Sequence, residues 1–359
     1  MIAARSGFQR VCGSEEVGRD AVSATKDPEA ARGRILSLRE SLYRYFVGKN
    51  GIIDLMTIAA VAQEPMLIVG KPGTGKSEII LKFTEAMGLG GEDYFEYMLT
   101  EFSEPSEILG ALDLSALKDG RFSRRVSGKL PMAKVAFLDE IFNSSSAILN
   151  VLLTILNERK YYDDGKPERA ALRMLFAATN EIPDNHRMAA LRDRFCIKVE
   201  SREVWRGGVD GFSRLIDSGL KNEAWRQARL RPWQTGLATL EDFETAHTFL
   251  TEQMGRVDMD PLDDVEKSDR DRFMPREVQL VFLNLLETLA REHRVFISDR
   301  KVVKLYKLLR ARAWLERNSE IKKEDLGLLA CLGDTMEQLA LLRQKVPQYL
   351  GLESANSHP

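Results

Sequence analysis

Met66-Leu67-Ile68-Val69-Gly70-Lys71-Pro72-Gly73-Thr74-Gly75-Lys76-Ser77, followed by Glu78 to Met87, is the stretch on which the reading of the whole chain turns. Four apolar residues predict a short buried strand, Gly70 to Gly75 a tight loop, and the segment after Lys76 a helix with Ile79, Ile80 and Phe83 turned inward. The spacing is G-x-x-x-x-G-K-S. Glycines 70, 73 and 75 free the backbone to aim successive N–H groups at one anion, and the positive end of the helix dipole reinforces them. Gly70, Lys71, Pro72, Gly73, Thr74, Gly75, Lys76 and Ser77 are therefore the candidate contacts to the phosphates of a nucleotide. Lys76 is placed to reach the β- and γ-phosphates and Ser77 to hold Mg²⁺.

Composition sets the outer bounds. A chain of 359 residues has room for two domains, and a hydrophobic content of 44% is that of a globular protein. The formal net charge of −2 argues against a wholesale binder of nucleic acid or anionic membrane. Cys12, Cys196 and Cys331 are too widely spaced for a metal or disulfide pattern and read as reduced residues. No apolar run approaches the roughly 18 residues of a membrane span, and no signal-peptide core follows the first methionine. A cytoplasmic protein is the expectation.

Residues 1–33 show no sustained periodicity and read as a disordered extension. Ile35, Leu38, Leu42, Tyr45 and Phe46 are spaced as one helix, and Ile52, Leu55, Ile58, Ala59 and Ala62 as a second. The turn between them precedes the phosphate loop closely, which makes Val47 and Gly48 candidate contacts to the base. Tyr94 to Met98 alternates as a strand does. Leu112 to Leu117 and Arg121 to Val126 flank Lys118-Asp119-Gly120, and Asp-Gly between such segments predicts a hairpin within an insertion.

Val135-Ala136-Phe137-Leu138 then begins a strand buried on both faces and ends in Asp139-Glu140. An acid at the end of such a strand completes a Mg²⁺ shell, giving Ser77 and Asp139 as the metal-binding pair, and a second acid, Glu140, can polarise water for attack on the γ-phosphate. Ala147 to Arg159 is an apolar helix. Leu172 to Ala178 is another buried strand, closed by Thr179-Asn180-Glu181. Strands separated by helices imply a doubly wound parallel sheet with ligands at the carboxyl ends of its strands, where Lys76, Asp139, Glu140 and Asn180 all fall. Beyond Glu200 the pattern becomes helical, with stretches at Leu240 to Met254, Pro275 to Glu292, Asp299 to Arg317 and Lys323 to Leu342. The acidic run from Asp258 to Asp271 reads as a solvated loop.

Phe137-Leu138-Asp139-Glu140, the helix from Ala147 to Arg159, Ala178-Thr179-Asn180-Glu181 and Asp193-Arg194-Phe195 resemble the MoxR family of AAA+ ATPases. Ser298-Asp299-Arg300-Lys301 resembles the second sensor of its RavA branch, with Lys301 where that branch tends to carry a second arginine. The resemblance implies an α/β fold: an αβα parallel-sheet core over 34–200 with a helix-2 insert at about 104–131, an all-helical lid over 201–346, and a tail over 347–359. It further implies that Asp139 and Glu140 are the Walker B acids, Asn180 the first sensor, Arg194 the arginine finger and Arg300 a lid residue acting on the nucleotide of its own chain. Arg192, two residues away, competes with Arg194 for the finger role.

These readings converge on a Mg²⁺-dependent ATPase that works as a homo-oligomer, a hexameric ring by resemblance, and remodels or activates a protein client. A von Willebrand factor A domain protein is the implied partner. A nucleic-acid motor is the alternative, resting on Arg121, Arg124, Arg125 and Lys129, but the neutral charge and lack of interleaved aromatics speak against it. A guanine-nucleotide switch would need an Asn-Lys-x-Asp segment, which the chain lacks.

Overall fold

In β1 (Met66–Val69), Met66 and Ile68 face one side of the central sheet while Leu67 and Val69 face the other, the period-2 alternation of an extended chain. All four are fully buried, so this strand needs a layer of helices on each side. The computed structural model describes residues 27–184, 186–254 and 270–352. Before β1 come α1 (Pro28–Tyr45) and α2 (Asn50–Ala62), and after it α3 (Lys76–Ala86), β2 (Tyr94–Met98), α4 (Pro105–Leu109) and α5 (Leu114–Lys118). The chain continues through β3 (Val135–Asp139), α6 (Ser146–Glu158), the pair β4 (Lys160–Asp163) and β5 (Lys166–Arg169), β6 (Met174–Thr179), α7 (His186–Arg194) and β7 (Ile197–Glu200). Helices then take over: α8 (Gly208–Gln227), α9 (Leu240–Met254), α10 (Arg270–Phe273), α11 (Arg276–Glu292), α12 (Asp299–Arg317) and α13 (Met336–Tyr349).

The five-stranded sheet has the order β2-β3-β6-β1-β7, and every pairing in it is parallel. β6 therefore lies between β1 and β3, which sets the residue after β6 between the phosphate loop and the Asp139-Glu140 pair. On one face, Met66, Ile68, Phe137 and Phe176 share a core with α1, α2, α3 and the later helices α9, α11 and α12. On the other, Leu67, Val69, Ala136, Leu138 and Ala177 pack against α6 and α7. Phe83 and Phe176 meet edge to face at 5.6 Å, both essentially fully buried. Truncating either to alanine would cost about 3–5 kcal/mol.

Several expectations change. α1 begins at Pro28, inside the stretch read as extension, because Asp27 caps it by accepting from Glu29 N and proline suits the first helical position. The hairpin expected around Lys118-Asp119-Gly120 is the short helix α5 instead. Asp113 accepts from Ser115 N and Ala116 N and starts that helix, leaving only one antiparallel bridge, Leu112 with Arg124. The hairpin of this region is β4-β5, turned by Asp164 and Gly165, both left-handed (φ 48° and 73°) as its two-residue turn requires. The helix expected from Lys323 to Leu342 is broken: Lys323–Cys331 is a 3₁₀ segment, and α13 starts after Gly333. A Cβ at Gly333 would lie 2.5 Å from Leu339 N, so the chain can fold back there only with glycine. Residues 1–26, the acidic run from Asp258 to Asp269 and residues 353–359 lie outside the described residues. No helix among the described residues is long and apolar enough to cross a membrane.

Candidate active site

The carboxyl ends of β1, β6 and β3 bring five of the expected residues into one hydrogen-bonded chain. Lys76 Nζ donates to Asn180 Oδ1 (2.9 Å), and Asn180 Nδ2 donates to Glu140 Oε1 (2.5 Å). Glu140 N donates to Asp139 Oδ1 (2.9 Å), and Ser77 Oγ donates to Asp139 Oδ2 (2.9 Å), which closes the arc on the residue next to Lys76. Lys76 also donates to Gly70 O (2.5 Å) and Lys71 O (3.2 Å). Burial lowers its pKa, and the Glu140 and Asp139 carboxylates oppose that shift. Glu140 itself sits at φ 52°, ψ 46°. A non-glycine residue in the left-handed region stores strain of order 1–3 kcal/mol, which surrounding structure must sustain.

The loop is shaped for a phosphate chain. Gly73 and Gly75 have φ of 81° and 80°, and Lys71, Pro72 and Gly73 are exposed at its crest. At Gly70 the constraint is contact: a Cβ would come within 2.5 Å of Ser201 O. Ser201 follows β7, donates through N to Val69 O (2.7 Å) and through Oγ to Thr74 O (2.9 Å), and so holds both flanks of the loop. Lys49 Nζ in turn donates to Ser201 Oγ (2.9 Å) and Arg202 O (2.7 Å). Motif spacing singles out neither Lys49 nor Ser201; the available signals are that Lys49 directly follows Val47-Gly48 and that Ser201 directly follows the strand beside β1. Their contacts bring the Val47-Gly48 turn next to the loop, the position proposed for base contacts. For the metal, Ser77 Oγ and Asp139 Oδ2 provide hard oxygen donors, as Mg²⁺ prefers when it keeps waters and phosphate oxygens for its other positions. That arrangement fits the ion without a dense carboxylate cluster, and among the described residues there is none.

The two arginines are not at this edge. Arg194 ends α7 just before β7, at the amino ends of the parallel strands, about 13 Å away from the phosphate loop by the rise of a four-residue strand. The family resemblance has Arg300 reaching back to its own nucleotide. Instead it lies beside Arg194, whose pKa is lowered first by burial and then by the Arg300 charge, and its Nη1 is 3.4 Å from Asn157 Oδ1 at the end of α6. The reason is the seat of α12: Lys304 donates to Arg194 O (3.3 Å) and pairs with Glu64 (2.9 Å), which precedes β1. Arg192 is occupied within its own chain, donating to Pro183 O (2.7 Å) and Asp184 Oδ1 (3.2 Å).

Beside α3 lies a cavity of about 390 Å³ walled by Tyr45, Glu78, Lys82, Trp225 and Trp233. Tyr45 stacks on Trp225 at 5.8 Å, and the Lys82 ammonium sits 3.9 Å over the Trp233 ring.

Residues 34–242 match the family described as the MoxR domain in the MoxR-vWA-beta-propeller ternary systems, and residues 278–346 match an AAA lid domain. An uncharacterized protein of Methanocaldococcus jannaschii is 30% identical over 297 residues, covering 82% of this chain and 69% of that protein. A second from the same organism is 39% identical over 183 residues, 50% of this chain and 47% of its own length. The chaperone ClpB of Bacillus cereus is 25% identical over 223 residues, 56% of this chain and 26% of ClpB. In fold, the chain resembles the crystal structure of a candidate ATPase from Cytophaga hutchinsonii, with a TM-score of 0.65 at 16% identity over 90% of this chain and 95% of that one. With a parallel-sheet core, a phosphate loop and a helical carboxyl-terminal part, the chain belongs to the MoxR family of AAA+ ATPases.

Proposed function

We propose that this ATPase works as one subunit of a homo-oligomeric ring, hexameric as the likeness to AAA+ ATPases implies, and that hydrolysis drives remodelling or activation of a protein client in the cytoplasm. A protein with a von Willebrand factor A domain is the proposed partner, in keeping with the ternary systems for which the matching family is named. The observation that carries the reading is the division of charged groups between the two edges of the sheet. Lys76, Asp139, Glu140 and Asn180 occupy the carboxyl edge, and Arg194 and Arg300 the amino edge, where they face no phosphate loop of their own chain. A neighbour placed head to tail would bring its pair of arginines to this chain's nucleotide, and a heterologous contact of that kind makes a ring when its rotation closes.

In this mechanism Lys76 exchanges its contacts with Gly70 O and Lys71 O for the β- and γ-phosphates. Glu140, fixed by Asn180, takes the proton of the attacking water while Asn180 orients it. Ser77 and Asp139 would hold Mg²⁺, which when bound would supply neutralisation of phosphate charge. Arg194 and Arg300 of the adjacent subunit meet the charge that develops in the transition state. The outer face of α8 supports a subunit contact: Val209, Phe212, Ile216 and Leu220 recur at helical spacing, 48–81% exposed. The basic residues of the nucleic-acid alternative have partners within the chain: Arg124 donates to Gly110 O and Lys129 to Glu107 O, and Arg121 and Arg125 pair with Asp119 and Asp113.

The test is complementation. Arg194→Ala chains keep an intact phosphate loop, and Lys76→Ala chains keep an intact finger, so mixing two inactive variants restores turnover if the finger acts between subunits. No recovery in the mixture, with turnover independent of protein concentration, would replace the ring with a self-sufficient monomer.

A further inference from the structure

Lys301 follows Arg300 directly, yet its side chain is fully buried (0% exposed). Its Nζ donates to Phe296 O (2.8 Å) and lies 3.3 Å from Asp193 Oδ1 and 3.8 Å from Asp334 Oδ1. Lys198 of β7, equally buried, donates to the same Asp334 oxygen at 2.9 Å. Asp193 divides its carboxylate: one oxygen faces Lys301, and the other is 3.4 Å from Arg194 Nη1. One turn along α12, Lys304 holds the Arg194 carbonyl. Arg194 is thus gripped by α12 twice, at its backbone through Lys304 and at its guanidinium through Asp193 and Lys301.

Burial makes this grip stiff. A desolvated ammonium cannot leave its carboxylates without leaving uncompensated charge on both sides, so Lys301 has one place to be. The balance of charge points the same way. Lys198, Lys301, Arg194 and Arg300 set four cations against Asp193 and Asp334, and Arg194 Nε is buried without a hydrogen-bond acceptor. Asp193 Oδ1 is likewise buried without a hydrogen-bond donor, so the Lys301 ammonium 3.3 Å away is what balances its charge.

We propose that Asp193 and Lys301 are positioning residues for ATP hydrolysis: they form a buried strut that fixes Arg194 in register with the α12 helix, so that Arg194 and Arg300 reach a neighbouring subunit's nucleotide as one rigid pair. The proposal rests on the reading that Arg194 acts between subunits. It also accounts for Lys301, whose charge points into the protein toward Asp193: the position after Arg300 is an internal brace.

The experiment uses the full chain with ATP and Mg²⁺. Asp193→Asn releases Arg194, and Asp193→Glu keeps the charge while displacing it by one methylene; both are compared with Arg194→Ala for ATP affinity, thermal midpoint and kcat. Expected are ATP affinities within about twofold of wild type and kcat lowered roughly 10- to 100-fold, the scale of a misplaced catalytic group. Adding Lys76→Ala chains should then raise kcat, because the defect travels with the finger, and Lys301→Arg should hold kcat near wild type by keeping the buried cation. If Asp193→Asn fails to fold, Asp193→Glu carries the test alone. Arg194→Ala rescued by mixing while folded Asp193 variants turn over normally, or fall without rescue, overturns the strut and leaves the trans finger standing. Arg194→Ala unrescued removes the reading beneath both.

Discussion

The two edges of the sheet carry charge in opposite ways. At the carboxyl edge, one lysine faces two carboxylates, and each polar group is answered by a neighbour that local sequence puts there: the loop after β1, the acids after β3, the asparagine after β6. At the amino edge cations outnumber carboxylates, and the partners come from positions more than a hundred residues apart, such as Asp193 with Lys301. The first is a site that binds and cleaves. The second carries more positive than negative charge, the imbalance on which the proposed contact with a second copy of the chain rests.

The widest separation between the edges is expected from Arg194→Ala. Its turnover should fall by about 10³–10⁵, the usual worth of an arginine finger, with ATP affinity retained in an equilibrium binding assay. A fall in affinity that matches the fall in turnover would move Arg194 to the binding edge. Next comes the carboxyl edge itself. Glu140→Gln should lose about 10²–10⁴ in kcat as a general base while still binding ATP, since the glutamine carbonyl can keep the Asn180 contact. Lys76→Ala should lose binding as well, and equal affinities for these two variants would dissolve the division of roles.

A smaller effect sharpens the comparison by lying at neither edge. Gly165→Val places a branched residue at φ 73° in the β4-β5 turn and should cost about 1–3 kcal/mol of stability, with basal ATP turnover within about twofold. Collapse of turnover would instead tie the hairpin to the catalytic groups. The smallest effect is a pH dependence. Burial pushes Lys49 down to about 8, from 10.5 for a free lysine. Below about pH 8 both the folded and unfolded chains carry the charge, and the fold bears the cost of burying it. Between about 8 and 10.5 the folded lysine is neutral while the unfolded one stays protonated, so stability from this group rises with pH. The thermal midpoint of the native protein relative to Lys49→Met should therefore increase from about pH 7.5 to about 9.5; parallel curves would place the lysine in solvent.

Legibility in the sequence follows the distance over which each feature is decided. Lys76, Ser77, Asp139, Glu140 and Asn180 are readable because strand ends and loop spacing are local, and a parallel sheet collects strand ends on one side. The seat of Arg300 is not, since it depends on Lys304 meeting Glu64 and Lys301 meeting Asp193 across the fold. Two of the chain's three Asp-Gly pairs show the same limit at short range. Asp119-Gly120 follows a segment that Asp113 caps into a helix, whereas Asp164-Gly165 joins flanks that pair as strands, with Tyr161 and Tyr162 leading in. The dipeptide alone does not choose between them.

The aromatic cavity beside α3 gives the protein an optical signature. Trp314 is fully buried and Trp205 about half exposed (53%), while Trp225 and Trp233 wall a chamber on the helix whose first turn carries Ser77. A cation over the Trp233 ring and the Glu85 carboxylate accepting its indole N–H at 2.5 Å both bear on the energy of its excited state. Glu78, one residue past Ser77, lines the same chamber and accepts from the Tyr45 hydroxyl (3.2 Å), beneath the ring that stacks on Trp225. Nucleotide in the phosphate loop should therefore shift the intrinsic emission of the unlabelled chain through the Glu78 end of this chamber, and a titration with ATP followed by tryptophan fluorescence reads that shift directly.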